Sequence, residues 1–142
     1  MKNNFFYKSK FSNIYKNSSK LSEVTSQILY GEKFKILLKN KDWIKIKSSF
    51  DNYVGFIKNE KYVIKHNPSH KVYSLKAAIF SKSNKKTKYF LPFGSKISII
   101  KENKNFVEFE KNKWLKKSDL KKINHIEKNF IKVFKLFLKT EY

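Results

Sequence analysis

An internal repeat is the feature of this sequence that most restricts its fold. The segment around Gly31 recurs around Gly94, 63 positions later. At this spacing apolar residues match apolar residues, in the pairs Phe34/Ile97, Ile36/Ile99, Trp43/Phe106, Ile44/Val107 and Ile46/Phe109. A chain of 142 residues is long enough for two small domains, so the repeat predicts two similar units in tandem.

Each copy has the residue pattern of β-structure. Apolar and polar residues alternate in Phe34-Lys35-Ile36, in Ile44-Lys45-Ile46 and in Val107-Glu108-Phe109. This alternation is typical of half-buried strands, whose successive side chains point to opposite faces. Gly31 and Gly94 follow one strand and precede the next, where a turn with positive φ favours glycine. Several short strands joined by tight turns predict a small β-barrel for each copy.

The remaining segments set the expected domain limits. We expect a first barrel over residues 1–65, a linker over 66–70 that contains Pro68, and a second barrel over 71–123. Residues 124–142 have apolar residues at steps of three and four, which is the pattern of an amphipathic helix with Asn124 as its N-cap. The predicted fold class is therefore mainly β, with two tandem small β-barrels and a C-terminal α-helix.

The strong positive charge has two explanations. The chain has 33 basic residues, all of them lysine, against 11 acidic ones, for a net charge of +22. Abundant Lys, Asn, Ile, Phe and Tyr without any Arg is typical of a genome rich in A and T. Dedicated readers of nucleic acids rely on arginine, and the lysines are spread along the chain. We therefore expect no specific nucleic-acid partner.

Catalytic and metal chemistry is not favoured by this composition. The chain has no Cys, so it contains no thiolate ligand and no cysteine nucleophile. A metal pair formed by His66 and His70 needs a helix, and Pro68 between them disfavours one. We expect no cofactor and no metal. No secretory signal and no membrane span are apparent, so the expected location is the cytoplasm.

Both copies resemble the bacterial SH3 domain family. That family's pattern includes a strand that ends in Gly, a turn into W-x-x-V and a hairpin into G-W-V. The first copy has Leu29-Tyr30-Gly31-Glu32, Asp42-Trp43-Ile44-Lys45-Ile46 and Tyr53-Val54-Gly55-Phe56-Ile57 at these places. The second copy has Phe106 in place of Trp and Lys113 in place of the hairpin Gly. The resemblance implies two SH3-like barrels.

The first copy is most similar to the N-terminal domain of NlpC-type, dipeptidyl-peptidase VI-like cysteine peptidases. In that family two barrels precede a catalytic domain, which opens with a helix that ends in a sequence like F-L-G-T-P-Y. This chain ends in Phe137-Leu138-Lys139-Thr140-Glu141-Tyr142. The resemblance implies that residues 124–142 begin a peptidase domain whose catalytic Cys and His would lie further on. A truncated or split gene is the expected origin, and we expect no enzymatic activity.

The resemblance also implies a binding site. In the family the first barrel helps to wall the peptidase substrate site, so the candidate substrate-binding residues are Glu32, Asp51, Tyr53 and Phe56. Glu32 and Asp51 are among the few acids of a basic chain, and either could pair with the free amine of a muropeptide stem. Trp43 and Trp114 have two interpretations, packing in a core or interface and lining a peptide groove.

The expected function is a non-catalytic module that binds cell-wall peptide (muropeptide) or positions it for a peptidase domain. That domain is encoded separately if the gene is split. One alternative is an SH3-like module that binds polyanions or nucleic acid through its positive charge. Another alternative is a protein-interaction adaptor that never worked with a peptidase.

Overall fold

The computed structural model describes residues 4–82, 84–126 and 137. The chain divides into two compact units, Met1–Asn67 and Pro68–Tyr142. Both units are built mainly from antiparallel β-strands, which confirms the mainly β fold class. The finer domain limits stay predictions, as does the 66–70 linker.

The first unit is a single antiparallel sheet, in the order β3-β2-β6-β5-β4-β1-β7. Its strands are β1 (Asn4–Tyr7), β2 (Phe11–Tyr15), β3 (Val24–Leu29), β4 (Lys33–Lys39), β5 (Trp43–Ser48), β6 (Val54–Lys58) and β7 (Tyr62–Val63). The alternating residues of β5 show why this sheet has one buried face. Ile44 and Ile46 are fully buried, whereas Trp43 and Lys45, which alternate with them, are half-buried and point to the other face.

The core of the first unit lies on the inner face of this sheet. Its members are fully or almost fully buried aliphatic and aromatic side chains: Tyr7, Ile14, Ile28, Phe34, Ile44, Ile46 and Ile57. Phe5, Ile36 and Tyr62 pack against this cluster from its edge. The core therefore draws on six of the seven strands, and it fixes which residues of β2, β5 and β6 face outward.

The second unit distributes its strands over two sheets, with the orders β10-β9-β14-β13-β12 and β11-β8-β15. These strands are β8 (His70–Val72), β9 (Lys76–Ser81), β10 (Lys85–Pro92), β11 (Lys96–Ile97), β12 (Lys101–Glu102), β13 (Phe106–Glu110), β14 (Lys113–Lys116) and β15 (Leu120–Lys122). A short 3-10 helix, Lys117–Asp119, joins β14 to β15. The largest fully buried side chains of this unit are those of Val72, Leu91, Ile97, Val107 and Leu115.

The turns at Gly31 and Gly94 have the same geometry. Their φ angles are 82° and 92°, in the region that favours glycine. The Gly31 N–H donates to the Tyr7 carbonyl at 2.7 Å, and the Gly94 N–H donates to the Val72 carbonyl at 3.0 Å. The predicted glycine turns are therefore present. In each unit a hydrogen bond from the glycine joins the turn to the first strand of that unit, β1 or β8.

The turns that begin β5 and β13 also match. In the first unit the Asn40 side-chain oxygen accepts hydrogen bonds from the backbone N–H groups of Asp42, at 3.1 Å, and Trp43, at 2.8 Å. In the second unit Asn103 does the same for Asn105, at 3.0 Å, and Phe106, at 2.9 Å. These Asx turns set the start of the strand that carries Trp43 or Phe106.

Two closed barrels are not supported. Closure requires every strand to have hydrogen-bonded neighbours on both sides. Among the described residues, β3 pairs only with β2 and β7 only with β1, so the sheet of the first unit stays open. In the second unit the stretch that matches the unbroken β4 is split into β11 and β12, and residues 98–100 between them are not in a strand. β11 and β12 belong to different sheets.

The expected C-terminal helix over 124–142 lies outside the described residues, apart from 124–126 and 137. Asn124 lies in a turn that is closed by the His125 N–H, which donates to the Lys122 carbonyl at 2.9 Å. Phe137 has a helical backbone conformation, and its ring centroid lies 5.3 Å from that of Phe93 in the same unit.

Candidate functional site

The outer face of the first unit carries three aromatic rings and two lysines on adjacent strands. We name this surface the aromatic–lysine face, and its members are Tyr15, Trp43, Lys45, Phe56 and Lys58. Tyr15 of β2 pairs with Phe56 of β6, and Phe56 pairs with Lys45 of β5. Two residues away along the same two strands, Trp43 of β5 pairs with Lys58 of β6. All five side chains are half-buried, so each presents part of its surface to solvent.

The side chains of this face contact one another in specific geometries. The rings of Tyr15 and Trp43 meet edge to face, with centroids 5.8 Å apart. The Lys58 ammonium lies 5.2 Å from the centre of the Trp43 ring, and the Lys45 ammonium lies 5.8 Å from the centre of the Phe56 ring. Each such cation–π contact contributes about 0.5–1 kcal/mol at an exposed site. The rings are therefore held in place with positive charge beside them.

Gly55 allows β2 and β6 to approach closely enough to form this face. A Cβ atom at Gly55 would lie 2.4 Å from Ile14 Cγ2 and 2.8 Å from the Tyr15 carbonyl oxygen. Any larger residue would push β2 away from β6, and with it Tyr15 away from Phe56. Glycine is therefore required at this hairpin position for a steric reason: a side chain at position 55 would collide with Ile14 and the Tyr15 carbonyl.

Glu32 is not available as a ligand-binding acid. Its side chain is only 8% exposed, and its Oε1 accepts a hydrogen bond from the Leu29 N–H at 2.8 Å. Its backbone carbonyl accepts from the Tyr7 N–H at 2.9 Å. Glu32 therefore closes the turn at Gly31, and its carboxylate is used within the fold.

Asp51 and Tyr53 lie at the hairpin between β5 and β6. Asp51 is exposed, and its two oxygens accept from the Tyr53 N–H at 3.2 Å and from the Ser26 hydroxyl at 3.4 Å. Tyr53 is 46% exposed. Asp51 bonds to Ser26 and Glu32 bonds to Leu29, three residues further along β3, so their partners are about 10 Å apart. The two predicted acids do not form one site.

Of the four residues proposed from the sequence, Phe56 alone lies in the aromatic–lysine face. Trp43 lies there too, on the outer side of the sheet and outside the core cluster, and its interface and groove interpretations stay predictions. Tyr15, Lys45 and Lys58 were not predicted from the sequence. The alternation in β5 puts Lys45 on the same face as Trp43, and the alternation in β6 puts Lys58 on the same face as Phe56. The pairing of β2 with β6, which adds Tyr15, could not be read from the alternation.

The matching face of the second unit also has three aromatic rings, of other residue types at each place, and it has a different charge. Phe80 pairs with Trp114, and Phe106 pairs with Lys116, whose ammonium lies 5.7 Å from the Phe80 ring centre. Phe80 and Phe106 meet with centroids 5.1 Å apart. Glu108 pairs with Trp114 at the place that Lys45 has in the first unit.

Glu108 is part of the fold of the second unit. It is 5% exposed, its Oε2 accepts from the Asn112 N–H at 2.9 Å, and its Oε1 lies 3.9 Å from the Lys101 ammonium. Its carboxylate thus holds the hairpin that leads into β14. The two faces share their aromatic frame, but a positive side chain lies at the centre of one and a buried negative one at the centre of the other.

The described part of the chain contains no group of three or more His, Asp or Glu side chains that could hold a metal ion. His66 contacts the rings of Phe6 and Tyr30, and His70 shares a 2.9 Å hydrogen bond with the Ser69 hydroxyl. Within the same residues, no helix has the length and apolar character needed to cross a membrane.

Comparison with known proteins supports the predicted resemblance. Residues 14–61 match the family model of the bacterial dipeptidyl-peptidase Sh3 domain. No curated protein matches the chain significantly. The crystal structure of an NlpC/P60 family protein from Bacillus cereus ATCC 10987 is similar, with a TM-score of 0.73 at 12% identity over 94% of this chain.

These matches confirm the resemblance to the SH3 domains of NlpC-type proteins. The chain spans 63% of the length of the Bacillus cereus protein, and at this identity the likeness concerns the fold. The residues matched by the family model begin at Ile14 in β2 and end at Lys61, just after β6. They include every member of the aromatic–lysine face.

Proposed function

We propose that the chain is a non-catalytic cell-wall-binding module, and that the aromatic–lysine face of its first unit binds cell-wall peptide (muropeptide). The observation that carries the proposal is the position of this face inside the segment matched by the dipeptidyl-peptidase Sh3 model. Trp43 and its neighbours offer ring surface for apolar or sugar groups. Lys45 and Lys58 offer positive charge for the carboxylates of a peptide stem.

The role of the module is to bind the peptide or to position it for an NlpC-type peptidase domain, in the same polypeptide or encoded separately. The chain has no Cys, and the cysteine chemistry of such a peptidase therefore requires a residue outside it. We place the module in the cytoplasm, where it would act on recycled muropeptide.

Asp51 is a further member of the proposed binding site, because it is exposed at the hairpin that leads into β6. It can pair with the free amine of a peptide stem while Lys45 or Lys58 pairs with a carboxylate. Tyr53, also exposed at this hairpin, offers a phenol as a further hydrogen-bond partner. Glu32 has no such role in the proposal, since its carboxylate closes the turn at Gly31.

Isothermal titration of the full chain with a muropeptide tests the proposal. Trp43→Ala removes the largest ring of the face, and we expect binding to weaken about tenfold or more, as for a central aromatic contact. Trp114→Ala is the control, because it removes the same type of ring from the matching face of the second unit, where Trp114 stands at the place of Phe56. Equal losses for both variants, or no binding by the unmodified chain, would reject the proposed site.

The two alternatives give other results in the same titration. A polyanion-binding module would bind the muropeptide weakly and would lose this binding between ~50 and ~200 mM salt. A protein-interaction adaptor would show no muropeptide binding at any salt concentration.

A further inference from the structure

An open groove lies between the start of β13 and the end of β14 in the second unit. Its volume is about 350 Å³, and we name it the Phe106 groove. It is lined by Lys104, Asn105, Phe106, Lys116, Lys117 and Ser118. Three of these six residues are lysines and none is acidic. The groove is distinct from the aromatic–lysine face, which belongs to the first unit.

Hydrogen bonds hold the backbone on both sides of the groove. The Lys117 N–H donates to the Asn105 carbonyl at 2.8 Å, which joins the two walls. The Asn103 side chain fixes the Asn105 and Phe106 N–H groups on the other side. The half-buried Phe106 ring packs on Phe80 and keeps part of its surface exposed. The groove is thus a preformed surface with one aromatic wall.

A weak ion pair opposes the positive charge of the groove. Glu102 lies 3.6 Å from the Lys117 ammonium, and the two side chains are 56% and 39% exposed. Exposed pairs of this kind contribute at most about 1 kcal/mol and are screened by salt. An anionic ligand can therefore compete for Lys117, while Lys104 and Lys116 add to its attraction.

The first unit lacks this charge pattern at the matching positions. There the residues are Lys41, Asp42, Trp43, Lys58, Asn59 and Glu60. Asn105 and Ser118 thus stand where the first unit has acids, and Lys117 stands where it has a neutral amide. The backbone hydrogen bond at this place is shared, because the Asn59 N–H donates to the Asp42 carbonyl at 2.9 Å as the Lys117 N–H does to the Asn105 carbonyl. The excess of lysine is therefore particular to the second unit.

We propose that the Phe106 groove binds single-stranded nucleic acid without sequence preference. The ammonium groups of Lys104, Lys116 and Lys117 would contact phosphates, for which lysine is a suitable point-charge partner. The exposed surface of Phe106 would stack on an unpaired base, and a positive groove with an aromatic wall is the common form of such sites. Paired bases cannot reach this ring, so duplexes should bind less tightly.

Fluorescence anisotropy with a labelled oligothymidylate of about 10 nucleotides tests this proposal on the full chain. The titration is repeated between ~50 and ~200 mM salt, because a chain with net charge +22 attracts any polyanion at low salt. The test variant carries Lys104→Gln, Lys116→Gln and Lys117→Gln. Its matched control carries Lys20→Gln, Lys33→Gln and Lys65→Gln, which remove three exposed lysines of the first unit.

We expect the groove variant to bind at least tenfold more weakly at ~200 mM salt than the unmodified chain. Its plot of log K against log salt should be flatter by about 2, since about 0.7 counterions are released per phosphate contact on single strands. The control should bind within about twofold of the unmodified chain at this salt. Equal losses in both variants would overturn the proposal, because they would show attraction by net charge alone.

A fourth variant tests the aromatic wall. Phe106→Leu keeps every charge, and we expect it to weaken oligothymidylate binding at least fivefold, in line with the loss of one stacked base. It should leave the binding of inorganic polyphosphate unchanged. If Phe106→Leu leaves oligothymidylate binding unchanged, or if a duplex of the same length binds as tightly, the assignment to single-stranded nucleic acid is wrong.

Discussion

The two units share the geometry of two kinds of turn but carry different side chains around them. The glycine turns at 31 and 94 and the Asx turns at Asn40 and Asn103 have corresponding hydrogen bonds. The side chains on this frame differ in charge at the centre of the outer face, where Lys45 corresponds to Glu108. They differ again at the start of β13 and the end of β14, where the second unit has the lysines of the Phe106 groove.

This difference shows how one scaffold can offer two kinds of surface. Backbone hydrogen bonds and buried apolar residues set the positions of the outer side chains, and these outer residues can then change without altering the fold. We infer that the first unit offers rings with positive charge to a peptide, and that the second offers a basic groove to a phosphate chain. Variants made in matched pairs, one in each unit, can separate these roles.

The largest expected effect is at Gly55. Gly55→Ala brings a methyl group into contact with Ile14 and the Tyr15 carbonyl, so we expect the free energy of unfolding of the first unit to fall by about 3 kcal/mol. The matching Lys113 is exposed and pairs with Glu110 at 3.3 Å after a register shift in β13. Lys113→Ala should change stability by less than about 0.5 kcal/mol.

Hydrogen exchange, followed peptide by peptide, measures this contrast in the full chain. Peptides of β2 and β6 should exchange faster in Gly55→Ala, while those of β13 and β14 should exchange as before. A Gly55→Ala chain with unchanged protection of the first unit would show that β2 and β6 do not approach as closely as the structure has them.

A smaller effect is expected at the position shared by Lys45 and Glu108. Glu108→Met removes the acceptor of the Asn112 N–H in a nearly buried site, and we expect a loss of about 1–2 kcal/mol from the second unit. Lys45→Met keeps an unbranched side chain beside Phe56 and should cost less than about 0.5 kcal/mol.

Chemical denaturation with hydrogen exchange as the readout checks this pair. If Glu108→Met and Lys45→Met lower the free energy of unfolding by the same amount, Glu108 contributes no more to the stability of its unit than Lys45 does. The interpretation of the second face as a structural variant of the first would then be wrong.

The smallest expected effect is a pH dependence that belongs to the first unit. Burial and the Glu60 carboxylate, 3.2 Å from the Tyr7 hydroxyl, hold the pKa of this phenol above its usual value of 10.0. As the pH rises, the unfolded chain loses this proton first. The stabilisation is therefore complete below about pH 10 and is lost as the pH rises above that value.

Tyr7→Phe removes the titrating group and keeps the ring. Between about pH 9 and about pH 11, we expect the unmodified first unit to lose more stability than the Tyr7→Phe variant does. Val72 has the matching position in the second unit and carries no phenol, so the second unit should respond equally in both chains. The same loss of first-unit stability in both chains would show that Tyr7 does not titrate as described.

Sequence patterns predicted the parts of this molecule that depend on local chemistry. Alternation identified Ile44 and Ile46 as buried, and the positive φ of Gly31 and Gly94 follows from turn chemistry. The interruption between β11 and β12 was not predicted, because Ile97, Ile99 and Ile100 give the segment the composition of a continuous strand.

The candidate site was predicted less well than the fold, for reasons of pairing and burial. Glu32 looked like a free acid because the sequence does not show that its carboxylate bonds back to the Leu29 N–H. Tyr15 was missed because its place beside Phe56 depends on the pairing of strands that are far apart in sequence. The Phe106 groove joins residues from β13, β14 and the short 3-10 helix, and lysines spread along a sequence do not reveal such a cluster.

An NMR titration of the full chain with a muropeptide tests the central claim most directly, because one spectrum reports on both units. We expect amide and ring signals of Tyr15, Trp43 and Phe56 to shift with a common saturating curve, while those of Phe80, Phe106 and Trp114 stay in place. Equal shifts in both groups, or shifts confined to the second unit, would contradict the claim that the aromatic–lysine face of the first unit is the peptide-binding site.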